Sequence, residues 1–138
     1  MRLADGRDHG PMRDALLRLH EYSKKYKFAV GVDYTSAEAS VLHEIDAGCA
    51  YVIDGYLVLL SKTVPWYATE PILQEWLVLK LYGGGDINNV PAGILQLAKE
   101  LGCAVAITAD SSPVSIMADA YNKAGFSPLT RSFYKEVA

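Results

Sequence analysis

Three glycines and an acid, Gly83-Gly84-Gly85-Asp86, stand between a long apolar strand pattern and a helix pattern. Backbone without side chains admits a phosphate closely, and the bare N–H groups and positive dipole end of a helix start favour an anion there. The same stretch reads equally as an ordinary strand-to-helix turn, because glycine loops are common. Upstream, Glu75 is the carboxylate best suited to act as a base. Strand alternation puts it on one row with Leu73, Leu77, Leu79 and Leu81. Desolvation on such a row raises a carboxyl pKa towards neutrality, as a general base requires. The plainer alternative is a strand-start glutamate that reaches solvent. Asp110 ends a later strand, where helix capping is its commoner use. His43 and Glu44 line an acceptor cleft or form the solvated face of a helix. Trp66, Tyr67 and Trp76 form a wall of that cleft or pack at an edge.

The elements that would position these residues follow from periodicity. Ile72 to Tyr82 is a long apolar strand, and from Val90 the period changes to that of a helix, with Val90, Ile94, Leu97, Ala98 and Leu101 on one stripe. Asn88 or Asn89 suits the cap, Pro91 the first turn and Gly102 the left-handed stop. Arg2-Leu3-Ala4 is a short first strand, and Pro11 opens a helix to about Tyr26 with Met12, Ala15, Leu16 and Leu19 as its apolar stripe. Phe28 to Thr35 carries no clear pattern. A second helix starts at Ser36 and ends at Gly48. Cys49 to Ile53 and Tyr56 to Val64 are strands joined by the hairpin dipeptide Asp54-Gly55. Cys103 to Thr108 reads as a strand covered on both faces. Asp110-Ser111-Ser112-Pro113 opens a helix from about Val114 to Ala124, closed by Gly125, and Thr130 to Val137 is a last strand. The order β-α-α-β-β-β-α-β-α-β describes a mixed α/β fold. A mostly antiparallel central sheet carries one right-handed parallel crossover and has helices on both faces.

With 138 residues, 51% of them hydrophobic, the chain makes one domain over residues 1–138. A formal charge of −3 and the lack of a basic stripe give no electrostatic case for nucleic acid. No apolar run is long enough for a bilayer, and the first residues do not read as a signal peptide, so the expected place is the cytoplasm. Cys49 and Cys103 read as small packing residues of a reducing compartment. The three scattered histidines make no ligand set, so no metal is expected.

The whole chain resembles the GCN5-related N-acetyltransferase family. The resemblance rests on Gly83-Gly84-Gly85-Asp86 before a helix ending Ala98-Lys99-Glu100-Leu101-Gly102-Cys103, then Tyr121-Asn122-Lys123-Ala124-Gly125-Phe126 and Tyr134-Lys135. It implies that acetyl-CoA lies against Leu79 and Leu81 and in a loop of Gly83, Gly84, Gly85, Asp86, Ile87 and Asn88, with the pantetheine arm between two splayed strands. It further implies that Tyr121 protonates the departing thiolate and that Glu75 is the base for an amine acceptor, small molecule or protein. A backbone N–H between Trp76 and Leu79 would polarise the thioester. The sequence departs from the family at Tyr82, where Gln or Arg is usual, at Ile87, where Gly or Ala is usual, and at Val114 and Met117. The glycine triplet is similar to that of small acetyltransferase-like proteins of phages. Pairing of the last strand with a second copy would make a homodimer. Two other readings stand beside acetyl transfer: a non-catalytic partner-binding protein of the same fold, and a nucleotide-binding domain. The last lacks the lysine of a P-loop.

Overall fold

The computed structural model describes residues 1–23, 33–108, 116–129, 133, 135 and 137. The strands are β1 (Arg2–Leu3), β2 (Ala50–Ile53), β3 (Tyr56–Thr63), β4 (Ile72–Lys80) and β5 (Val105–Ile107). The helices are α1 (His9–Ser23), α2 (Tyr34–Asp46), α3 (Asn89–Glu100) and α4 (Ile116–Lys123). The sheet runs β1-β2-β3-β4-β5, antiparallel through β4 and parallel between β4 and β5.

Each face of the sheet has its own core. Met12, Ala15 and Leu16 of α1 and Val41 and Ile45 of α2 pack on Val52, Leu57, Leu59 and Leu79. Val90, Ile94, Leu97 and Ala98 of α3, with Met117 and Tyr121 of α4, pack on Ile53, Val58, Leu60 and Leu73. The apolar stripe expected for α3 is thus the buried one, each large aliphatic contributing about 1.5–3 kcal/mol. Gly102 takes its left-handed conformation (φ 71°) while the Cys103 amide reaches back to the Ala98 carbonyl at 2.8 Å, closing the helix.

Several boundaries differ from expectation. α1 begins at His9 because a 3-10 turn over Gly6–Asp8, capped by Asp5, runs directly into it; Pro11 then sits in the first turn, where no amide is needed. α2 begins at Tyr34 because Asp33 accepts from the Thr35 and Ser36 amides at 3.2 and 3.3 Å. β5 is not covered on both faces: Ala106 packs on the α3 core, but Val105 is half exposed at the edge. The opening of α4 at Asp110 to Pro113, Val114, and most of the expected strand from Thr130 to Val137 lie outside the described residues.

Two contacts fix the end of β4 and the loop that follows. The first is a clasp around Asp8, whose side chain is fully buried. Arg2 donates to both its oxygens at 2.8 and 2.7 Å, the Tyr82 hydroxyl donates at 2.6 Å, and the Asp5 amide at 2.9 Å. The Arg2 guanidinium holds the Asp8 carboxyl well below the usual carboxylate range, and the Asp8 carboxylate in turn pushes the Tyr82 phenol up. The second contact docks the β2–β3 hairpin on the glycine loop. Asp54 and Gly55 both adopt positive φ (46° and 84°), the geometry of a type I′ turn. The Gly55 carbonyl accepts from the Leu81 and Tyr82 amides at 2.9 and 3.0 Å. At Gly85 a Cβ would lie 1.8 Å from the Asp54 carbonyl oxygen, so only glycine fits.

Two outcomes follow. Asp8→Ala destabilises by about 2–3 kcal/mol at neutral pH, below the full cost of breaking a buried pair because Arg2 is 34% exposed and regains water. A carboxyl held low stabilises the fold above its unfolded value of about 3.9 and loses that contribution as pH falls. Urea melts should therefore show the gap between wild type and variant steady from about pH 5 to 8 and narrowing below about pH 4. Among the glycines, Gly85→Ala should cost about 1–3 kcal/mol, whereas Gly83→Ala, with open space around it and no positive φ, should change stability by less than about 1 kcal/mol.

Candidate functional site

The site is a fork in the sheet. β4 and β5 pair only at Ile72 with Val105, Leu73 with Ala106 and Gln74 with Ile107. From Glu75 to Lys80, β4 has no strand partner on that side among the described residues. At the same level the β3–β4 register slips: Leu59 pairs with Leu77 and Leu60 with Glu75, so Trp76 is an inserted residue with no register partner on β3. Such a bulge bends its strand and raises its twist, and it falls at the level where the described β4–β5 pairing ends.

The bulge also changes which way side chains point. Leu73 and Glu75 lie on the α3/α4 face, but Leu77, Leu79 and Leu81 lie on the α1/α2 face. The expected single row of Glu75 with those three leucines is therefore wrong, because strict alternation takes no account of an inserted residue. Glu75 stands instead at the fork, 5% exposed, and accepts a hydrogen bond of 2.7 Å from the Tyr121 hydroxyl. Tyr121, also 5% exposed, packs its ring against Phe126 with centroids 5.1 Å apart. The two residues singled out in the sequence for proton transfer, 46 positions apart, thus form one buried pair.

Along the open side of β4 the backbone supplies the polar groups. The Leu81 amide is taken by Gly55 on the β3 side. Alternation then turns the amides of Leu79 and Leu77 to β3 and those of Val78 and Lys80 to the open side. The Lys80 carbonyl on that side accepts from Arg18 at 3.3 Å. Leu79 and Leu81 therefore lend their side chains to the α1/α2 core, and Val78 and Lys80 present N–H groups to the gap.

Above the fork lies the glycine loop. Among the described residues the amides of Gly83, Gly84, Gly85 and Ile87 have no hydrogen-bond partner, a run of donors just before α3. Ile87 turns its side chain onto the α3/α4 core, leaving the loop backbone accessible. The remaining donors are used internally. Asn88 occupies the cap position but makes no side-chain cap bond; its amide and side chain are held by Asp86 at 2.9 and 3.0 Å. The Asp86 amide and the Asn89 side chain both donate to Asp54, each at 2.8 Å. The sequence shows the glycines but not this carboxylate, which comes from a hairpin more than thirty residues away in the chain.

The other sequence candidates are more dispersed. His43 and Glu44 line, with Ala39, Ser40 and Leu59, a hollow of about 370 Å³ between α2 and β3. Trp76, 59% exposed, donates its indole N–H to Ser61 at 2.8 Å, two residues along β3 from Leu59. Trp66 and Tyr67 stack edge to face at 5.4 Å in the β3–β4 connection, with Trp66 95% exposed. Asp110 lies outside the described residues. Burial, and the nearby Glu44, push the Cys49 thiol up, away from thiolate chemistry. Among the described residues no three metal-ligating side chains come together, and no helix is long and apolar enough to cross a membrane.

No protein-family model matches the chain, and neither does any curated protein. Solved structures do. A probable acetyltransferase superposes with a TM-score of 0.66 at 8% identity, over 98% of this chain and 95% of that one. The aminoglycoside N-acetyltransferase AAC(6')-Iy, in complex with a bisubstrate analogue, superposes with a TM-score of 0.62 at 14% identity, over 99% and 97%. A predicted acetyltransferase from Clostridium acetobutylicum, with acetyl-CoA, gives 0.61 at 13% identity, over 96% and 92%. These likenesses identify the fold of this chain as like that of the GCN5-related N-acetyltransferases (GNAT-like), the fold of the acetyltransferases on which it superposes.

Proposed function

We propose that this protein is an acetyl-CoA-dependent N-acetyltransferase that passes the acetyl group directly to an amine in a ternary complex. The observation that carries the reading is the edge of β4 beyond its described pairing with β5, which starts at the Trp76 bulge and runs up to a loop whose Gly83, Gly84, Gly85 and Ile87 amides have no partner among the described residues. A diphosphate suits those amides, and an extended pantetheine arm suits a strand edge whose Val78 and Lys80 N–H groups have no partner strand among the described residues. Acetyl-CoA, when bound, supplies an activated acyl group on a thiol that leaves once protonated.

The chain's own residues handle orientation and protons. An amide on the open side of β4 donates to the thioester oxygen, where negative charge develops. Glu75 takes the proton released by the attacking amine, and Tyr121 gives one to the sulfur. Transfer along the Tyr121–Glu75 hydrogen bond then restores both groups, and the net result moves one proton from nitrogen to sulfur. Burial of the pair keeps water from competing. Direct attack is favoured over an acyl-cysteine because the Cys49 thiol is held protonated and Cys103 is buried.

A non-catalytic module of this fold is the second reading. What favours it is the acidic character of the loop, where Asp54 and Asp86 both stand at the start of α3.

Thermal unfolding with and without acetyl-CoA separates the two. Ligand at a hundred times its dissociation constant should stabilise by about 2.7 kcal/mol, and the absence of any shift at millimolar acetyl-CoA would discard the enzyme reading. With binding established, Tyr121→Phe and Glu75→Gln should each lower kcat about a hundredfold while leaving the acetyl-CoA dissociation constant within about twofold. A variant that keeps the wild-type kcat removes its residue from the mechanism.

A further inference from the structure

The start of α3 already holds an anion, and that anion belongs to the protein. The Asp54 carboxylate accepts from the Asp86 amide and from the Asn89 side chain, both at 2.8 Å and both on its Oδ2. It has little freedom to withdraw. Asp54 is set at φ 46° in a two-residue turn, its carbonyl is packed against Gly85, and the neighbouring Gly55 carbonyl holds the end of β4. These two hydrogen bonds keep the carboxyl below the usual range, so it is ionised at neutral pH. Between the Asp86 amide and the free amides of Gly85 and Ile87 there is only the spacing of adjacent residues. A diphosphate on those amides would therefore sit beside a fixed negative charge.

Resting on the acetyl-CoA reading, we propose that Asp54 sets the affinity of this loop for a diphosphate: it occupies one of the loop's donors and opposes a second anion there. The loop is thereby a weak diphosphate holder by construction, and the pantetheine contacts along β4 carry a correspondingly larger share of binding.

The test is Asp54→Asn, measured by calorimetric titration with coenzyme A and, separately, with pantetheine, which lacks the diphosphate. The asparagine oxygen keeps both hydrogen bonds while losing the charge, and Asn-Gly is at least as good a type I′ turn as Asp-Gly, so the fold is retained. Matching melting temperatures verify this. Coenzyme A should bind the variant about five- to tenfold more tightly at low ionic strength, with the advantage shrinking as salt is added. Pantetheine should bind both proteins alike. If wild type binds coenzyme A and the variant binds it no better, the proposal falls and the cofactor reading stands. A gain that pantetheine shows equally would also overturn it, since the diphosphate would not be involved. If neither protein binds coenzyme A, the cofactor reading fails and the proposal goes with it.

Discussion

Everything that makes this sheet more than a packing surface depends on one inserted residue. Trp76 has no register partner on β3, so β4 is bulged at the level where its described pairing with β5 ends. The insertion also inverts the side-chain pattern. It sends Leu77 and Leu79 to the α1/α2 core and leaves Glu75 on the other face, within hydrogen-bonding distance of Tyr121. One irregularity thus lies where the described β4–β5 pairing ends and beside the buried Glu75–Tyr121 pair.

A bend of this kind holds only if the far end of the strand is secured. The residues just past β4 are tied twice, through the Tyr82 hydroxyl to Asp8 and through the Leu81 and Tyr82 amides to Gly55. The Asp8 carboxylate is charged and buried, so losing its partners is expensive. The loop that begins at Gly83 therefore starts from a fixed point. Its glycines serve two separate ends: Gly85 lets the hairpin carbonyl approach, while the Gly83 and Gly84 amides stay bare.

Most of the architecture was legible in the sequence because each element carries its own signal. The α3 stripe, the left-handed Gly102 stop and the Asp54-Gly55 hairpin are local patterns, and the structure keeps them. What the sequence hid is long-range. A bulge has no composition of its own, so the alternation that correctly marks β4 as a strand misassigns half of its residues to a face. Asn88 is the cap as expected from its type, but its side chain does not cap: the Asn89 and Val90 amides go to the Asp86 and Ile87 carbonyls, and the loop before them is held by the Asp86 side chain and by Asp54 from a distant hairpin. Glu75 and Tyr121 were each visible as chemistry-bearing residues; their meeting was not, because it requires the fold.

The clasp around Asp8 bears on how the molecule is made. Asp8 and Tyr82 are 74 positions apart, so the turn that opens α1 cannot reach its final state until more than half the chain has left the ribosome. β1 in turn pairs with β2, around Val52. The first strand and the buried aspartate must wait, hydrated, for partners translated much later. Folding of this domain is accordingly expected to finish, not begin, at its amino-terminal end, with the closing of the clasp as a late event that locks the fork in shape.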